Sequence, residues 1–224
     1  DKFGIPQGSP ISAVLSNLYM LDFDLKIHKL AVERGAYYRR YSDDILIVCQ
    51  KADKDHFLSA LEHAIKEVDL ILNDQKLQIS NFDFNGEDLH VVPRLQYLGF
   101  EFDGKHKMLR GSTLARHKNK AFRAIRRARN SAEKRGVTRI WRKKVYSLFS
   151  HLPNRSYSNA GRYGKRNFYD YVRISTRVLD DDKPRRQMRK HWPWLNKTLN
   201  NHEDEIERNH KTYCQLRKLL EEMQ

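Results

Sequence analysis

Only two cysteines occur in the 224 residues, Cys49 and Cys214. They are too few and too far apart for a disulfide framework or a cysteine-based zinc site, which fits a reducing, cytoplasmic setting. No run of about 18 apolar residues and no signal-peptide pattern occurs, so nothing in the sequence indicates membrane insertion or export. The ten histidines show no paired metal-ligand spacing, and there is no internal repeat or low-complexity tract. The length allows one or two domains with a sizeable core.

Acidic residues are scarce in one stretch. Residues 105–190 hold 5 Asp and Glu against 27 Lys and Arg, net +22; residues 1–104 hold 17 against 11, net −6; residues 191–224 hold 6 against 5, net −1. The whole chain is +15 at pH 7. A neutral-to-acidic half joined to a strongly basic block is the electrostatic footprint of a polyanionic partner, with nucleic acid the first candidate. Basic solvated faces alone would give the same count.

Within the acidic half, Tyr37-Tyr38-Arg39-Arg40-Tyr41-Ser42-Asp43-Asp44-Ile45-Leu46-Ile47-Val48-Cys49 sets two adjacent carboxylates between two aromatic or β-branched runs. Asp is favoured in tight turns and depleted inside strands, and Ile45 to Cys49 is too short and too β-branched for a helix. The stretch therefore reads as a hairpin with Asp43 and Asp44 at its tip. Adjacent carboxylates repel unless a cation sits with them, and hard oxygen ligands of this kind suit Mg²⁺. Alone, such a pair is also what a solvated acidic turn looks like.

Upstream, Gly4-Ile5-Pro6-Gln7-Gly8-Ser9-Pro10-Ile11-Ser12 leads into an expected helix from Pro10 to about Leu30. Its apolar face is Ile11, Val14, Leu15, Leu18, Leu21, Leu25 and Ile27, and Pro10 suits the first turn. Gly8 leaves room for close backbone approach, and Gln7 and Ser9 can hydrogen-bond at a helix start whose free N–H groups favour phosphate. A Pro-Gly turn with an N-cap Ser is the plainer alternative. Downstream, Asp53 to Asp69 reads as a helix packing through Phe57, Leu58, Leu61, Ile65 and Val68. Leu77 to Phe84 and Leu89 to Val92 read as strands around Asn85-Gly86, and Leu95 to Asp103 alternates around Gly99 and ends at Asp103-Gly104, again a hairpin signal.

Four of these elements occur in a telling order: the Gln7-Gly8-Ser9-Pro10 loop and its helix, Tyr41-x-Asp43-Asp44, Leu72-Asn73-Asp74-Gln75-Lys76, and Leu95-Gln96-Tyr97-Leu98-Gly99-Phe100. Together they resemble the reverse transcriptase family over residues 3 to 104. Within it they look more like the bacterial group of intron, retron and phage-defence enzymes than like the retroviral one. The resemblance implies an α/β (α+β) polymerase palm with antiparallel hairpin strands and packed helices over residues 1–104. An α-helical thumb over 105–152 and a C-terminal helical extension over 153–224 would follow. Gln7, Gly8, Ser9, Pro10 and Tyr41 would line the nucleotide and template site, and Leu98 and Gly99 would belong to the primer grip. Asp43 would be the principal ligand of Mg²⁺, or of Mn²⁺ in its place, with Asp44 assisting and Lys76 near the leaving pyrophosphate. The family's fingers and the strand carrying its first metal-binding aspartate have no counterpart here. The chain is therefore expected to be the C-terminal part of a longer polymerase, inactive alone.

In the basic block, Leu114 to Arg135 aligns Leu114, Ala121, Phe122, Ile125, Ala128 and Ala132 on one helix face, with Lys118, Lys120, Arg123, Arg126, Arg127 and Arg129 around the others. Thr138 is expected to cap a second helix that packs through Trp141, Val145, Leu148, Phe149 and Leu152 and exposes Arg142, Lys143 and Lys144. Such cations hold phosphates irrespective of sequence. A basic membrane-surface helix competes with this reading, but both helices carry a packing face of bundle type. Residues 153–185 interleave Tyr157, Tyr163, Phe168, Tyr169 and Tyr171 with Arg155, Arg162, Lys165, Arg166 and Arg173, a mixture able to stack bases or to fill an aromatic core. Asp180-Asp181-Asp182-Lys183-Pro184 marks a break. Helices near Arg185 to Leu199 and from Glu203 to Met223 follow, the last with Ile206, Tyr213, Leu216, Leu220 and Met223 as its stripe.

The resemblance implies an RNA-directed DNA polymerase acting on an RNA template, a DNA primer and dNTPs, with a dedicated non-coding RNA as a further partner and no membrane. Ser42 and the Tyr37-to-Tyr41 lead-in resemble the antiphage-defence branch. An RNA-dependent RNA polymerase and a catalytically inactive, nucleic-acid-binding or partner-docking pseudo-polymerase are the alternatives.

Overall fold

A computed structural model of the protein describes residues 9–152 and 167–222. The chain divides into two units, residues 1–98 and 99–224. No helix among the described residues is long and apolar enough to cross a membrane.

The first unit opens with two helices, α1 (Pro10–Tyr19) and α2 (Leu21–Glu33), where the sequence predicts one. Met20, with a ψ of 4°, interrupts the regular helix, although its N–H still reaches the Ser16 carbonyl at 3.2 Å. The buried face also differs from the predicted one. Met20, Phe23, Ile27 and Ala31 turn inward, whereas Ile11, Val14, Leu15, Leu18, Leu21 and Leu25 are exposed. Both sets recur every three to four residues, so periodicity identifies two apolar faces without saying which is covered.

The inward face packs on Phe57, Leu61, Ala64 and Ile65 of α3 (Lys54–Glu67) and on Tyr38 of β1 (Tyr37–Tyr41). β1 pairs antiparallel with β2 (Asp44–Val48), from Tyr37 opposite Val48 to Tyr41 opposite Asp44. Tyr38, Ile45 and Ile47 face the helices, as period-two alternation requires. A second hairpin joins β3 (Asn81–Asn85) to β4 (Asp88–Val92) across a turn in which Gly86 has φ +65°. The predicted strand from Leu77 begins only at Asn81. Its ladder ends with Asn81 opposite Val92, and the next partner would be Pro93, which has no N–H to give. β5 (Leu95–Tyr97) completes the unit.

The second unit contains an antiparallel pair, β6 (Phe100–Phe102) and β7 (Lys107–Leu109), followed by α4 (Gly111–Lys134), α5 (Arg142–Phe149), α6 (Phe168–Leu179), α7 (Lys183–Gln187) and α8 (His191–Glu222). Ala121, Ile125 and Ala132 of α4, Val145 of α5, and Leu195, Leu199 and Ile206 of α8 form one core. Ile125, Leu195 and Leu199 are fully buried, each worth about 1.5–3 kcal/mol of transfer free energy. The predicted α4 face is mostly the observed one, except that Phe122 is exposed and His117 is buried.

Two expectations fail in this unit for one reason, tertiary bonding. Thr138 is not a cap: α5 starts at Arg142, and Glu203 of α8 accepts both the Ile140 N–H (3.0 Å) and the Arg142 guanidinium. Asn200 to His202 do not break α8, because Asn200 Oδ1 accepts from Arg142 Nη2 at 2.7 Å while Leu199 and Ile206 on either side are buried. Beyond Ile206 the predicted stripe of Tyr213, Leu216 and Leu220 is exposed, and Met223 lies outside the described residues. The Asp180–Asp182 break is a bonded turn: Asp180 ends α6 with φ +49°, and Asp181 accepts the Lys107 and Lys183 N–H groups at 2.7 and 2.8 Å. Tyr157, Tyr163, Arg155, Arg162, Lys165 and Arg166 lie outside the described residues.

His117 of α4 stacks on Phe168 at 4.2 Å and meets His191 of α8 at 4.7 Å, ring centre to ring centre. His117 Nε2, His191 Nδ1 and the Tyr169 hydroxyl are buried and, among the described residues, have no hydrogen-bond partners. Burial, with the charges of His191 and Lys120 beside it, pushes the His117 imidazole down to about 4 from an ordinary 6.5. Between those values the unfolded chain binds the proton more readily, so stability is complete above about pH 6.5 and declines as the pH falls towards 4. Thermal melts should therefore give a lower midpoint at pH 5 than at pH 7. His117→Phe, which keeps the ring stack, should flatten that difference; an undiminished difference in the variant would exclude His117 as its source.

Candidate functional site

At the first hairpin, Tyr41 and Asp44 form the last pair of the ladder and leave Ser42 and Asp43 as a two-residue turn. Asp44 is thus the first residue of β2 rather than part of the turn. Ser42 has φ +57°, a left-handed conformation that L-residues other than Gly adopt rarely. Both acids and Tyr41 are exposed, and among the described residues neither carboxylate has a hydrogen-bond or ion-pair partner.

The tip is anchored from behind. Arg40 gives Nε and Nη2 to the two oxygens of Asp24 on α2 at 2.8 and 2.6 Å, and Nη1 to the Ser42 carbonyl at 2.9 Å. The Tyr38 hydroxyl donates to Asp24 Oδ1 at 2.5 Å. Burial raises the Asp24 carboxyl, but the Arg40 and Tyr38 bonds and the guanidinium charge outweigh it and hold the group below the ordinary carboxylate range. On the opposite face the Arg39 guanidinium lies 4.7 Å over the Tyr37 ring. Burial pushes the Tyr97 phenol up, and the negative charge of Asp44 adds to the effect, so β5 carries Tyr97 within electrostatic reach of the tip. Asp24, Arg40 and Tyr97 received no site role from the sequence. Alternation along β1, which puts Arg40 on the face of Tyr38, was the available signal.

Among the described residues, none of the other expected residues is bonded to the two acids. Ser9 is exposed at the start of α1, where its carbonyl accepts the Ser12 N–H at 3.1 Å and its side chain makes no cap; Pro10 is the first helical residue. Gln7 and Gly8 lie outside the described residues. Lys76 is exposed on a short 3₁₀ turn (Asp74–Lys76), and no described bond joins it to the acids. Leu98 is exposed with φ +49°. Gly99 has φ +84°, and a Cβ there would sit 3.4 Å from Thr113 Oγ1.

Asp43 and Asp44 fit a hard divalent cation in donor type, since both carboxylates are uncommitted. They do not fill its coordination. No cluster of three or more His, Cys, Asp or Glu suited to a metal occurs among the described residues.

In the second unit Lys118, Arg123, Arg126 and Arg127 are exposed on α4, and Lys143 and Lys144 on α5. Two other cations that the sequence counted with them are committed to the fold. Arg129 bonds Glu133 at 2.9 Å and Glu205 at 2.6 Å, and Arg142 bonds Glu203 and Asn200. Glu203 holds the Arg142 guanidinium pKa well above its usual range.

Residues 1–102, which include the hairpin and its acids, match the family described as Reverse transcriptase (RNA-dependent DNA polymerase). Among individual proteins, the telomerase reverse transcriptase of Mus musculus is 36% identical over 78 residues, which are 34% of this chain and 7% of that protein. The chain spans a small fraction of that relative's length.

The two classes of cation separate experimentally. Arg142→Ala should destabilise the second unit by about 2 kcal/mol, because a partly buried charged hydrogen-bond network loses its donor. Lys143→Ala with Lys144→Ala should leave the thermal midpoint nearly unchanged. Equal midpoints for the two variants would contradict this assignment.

Proposed function

We propose that this chain carries the palm of an RNA-directed DNA polymerase of the bacterial reverse transcriptase type, with α4 and α5 as the thumb that holds the primer-template duplex. The observation that carries the reading is the pair of uncommitted carboxylates, Asp43 and Asp44, at an anchored hairpin tip inside the matched domain. A bound Mg²⁺ or Mn²⁺ would supply charge neutralisation at the transferring phosphoryl group and activation of the primer hydroxyl. Asp43 would be the main holder of the cation and Asp44 its second oxygen donor. Tyr41 and the Ser9-Pro10 helix start would line the template and nucleotide. Lys76 would bring positive charge to the leaving phosphates. The cations of α4 and α5 would touch the duplex backbone without reading bases, as an enzyme moving along its own product needs. The lead-in from Tyr37 to Ser42 supports a role in antiphage defence, tested by phage plating on cells with and without the gene.

Primer extension by the protein carrying this chain, offered dNTPs and NTPs in parallel, tests the chemistry. Asp43→Asn keeps the side-chain size and removes the charge, so Mg²⁺-dependent dNTP extension should fall to near background while the fold survives. Robust extension by that variant would refute the metal assignment. Replacing Arg123, Arg126 and Arg127 together with Gln should weaken duplex binding on all sequences. It should also flatten the salt dependence by about 0.9 of log–log slope for each phosphate that is no longer neutralised. An unchanged slope would show that these arginines do not touch the backbone.

A further inference from the structure

The geometry points to Arg40 as a positioning residue that aims Asp43, with Asp24 as the counter-ion that keeps the Arg40 charge away from both acids; this rests on the metal-holding reading of Asp43 and Asp44.

All three guanidinium nitrogens of Arg40 are used, and in two directions. Nε and Nη2 dock on the Asp24 carboxylate, with Asn17 Oδ1 also 3.4 Å from Nη2, while Nη1 reaches the Ser42 carbonyl. A guanidinium is a rigid plane, so fixing two nitrogens on α2 fixes where the third points. The Ser42 carbonyl belongs to the same peptide plane as the Asp43 nitrogen. Holding that oxygen therefore holds the plane from which Asp43 departs. The hold matters here because Ser42 has φ +57°, a conformation a free turn would readily leave.

The charge arrangement is equally specific. The Arg40 side chain is 6% exposed, and its ion pair is with Asp24 rather than with either tip acid. An unneutralised guanidinium in that place would attract Asp43 and Asp44 and oppose a divalent cation. Tyr38, donating to the same Asp24 oxygen, keeps the counter-ion in register. The path from α2 to Asp24, Arg40, the Ser42 carbonyl and Asp43 thus gives the tip a fixed direction while leaving its carboxylates unpaired.

The test uses the 224-residue chain, with two readouts: the order of the Ser42 and Asp43 amides by NMR relaxation without metal, and Mn²⁺ affinity by electron paramagnetic resonance. Arg40→Lys keeps the charge and loses the fork. Asp24→Arg with Arg40→Asp reverses the ion pair but leaves no donor for the Ser42 carbonyl. Both should show looser tip amides, and Mn²⁺ affinity lower by about tenfold, as for other residues that orient metal ligands. The reversed pair should recover the thermal midpoint relative to either of its single variants, but not the tip order. Asp24→Asn, which preserves shape and frees the guanidinium charge, should also lose Mn²⁺ affinity. Tip amides as ordered in Arg40→Lys and the reversed pair as in the parent would reduce Arg40 to a structural residue and overturn the positioning role. Parental Mn²⁺ affinity in Asp24→Asn would overturn the counter-ion role. A parent that binds no Mn²⁺, with tip order still lost in the variants, would refute the metal-holding reading and leave the positioning of the turn standing.

Discussion

The carboxylate of Asp24 is the point on which the first unit turns, because it receives both oriented donors of β1, the Arg40 fork and the Tyr38 hydroxyl. Its net contribution to stability is modest, since removing a carboxylate and a guanidinium from water offsets much of their attraction. Its contribution to specificity is larger. A one-residue slip of β1 would exchange the inward pair Tyr38 and Arg40 for Arg39 and Tyr41, leaving Asp24 without its fork. Apolar packing alone would discriminate weakly, because tyrosines lie on both faces of the strand. The ion pair therefore fixes which face packs on α2, and with it which residues occupy the turn.

The second unit distributes charge differently. Its folding cations are matched to acids on or facing α8: Arg129 to Glu133 and Glu205, Arg142 to Glu203. The cations proposed to meet phosphate, such as Arg126 and Lys143, are exposed and, among the described residues, have no such acid. The near-neutral sum of residues 191–224 conceals this arrangement, since Glu203 and Glu205 serve Arg142 and Arg129 elsewhere in the unit. Net charge by segment points to a polyanionic partner. Ion pairing separates the arginines that hold the unit from those free to hold something else.

Legibility followed the range of the forces involved. The first hairpin was readable because alternation and turn preference are local, and α3 and most of α4 because their apolar faces are narrow and single. The buried face of α2 was not readable, since two faces have the same period and only the surroundings choose between them. His117 looked polar and is core; Thr138 looked like a cap and is none; Asn200 looked like a break and is a ligand of Arg142. Each of these depends on a partner far away in sequence. At the site, the two acids were visible as residue types. Their anchor was not, because nothing in the sequence links Asp24 to Arg40 across the intervening turn.

The residue at the turn shows how the local and distant terms combine. A left-handed Ser costs about 1–2 kcal/mol relative to an ordinary conformation, and glycine would avoid that cost. A bond from a guanidinium to a carbonyl returns about 1.5 kcal/mol or more when partly shielded from water. The two terms are of one size, so the turn is held by the side chain that precedes it rather than by its own preference. A glycine at this position would relieve the strain and also widen the range of directions open to Asp43. Two adjacent exposed carboxylates already repel each other, and a freely moving turn would let them separate. Holding them at the same tip requires a constraint from outside the turn, and among the described residues the Arg40 bond to the Ser42 carbonyl provides it.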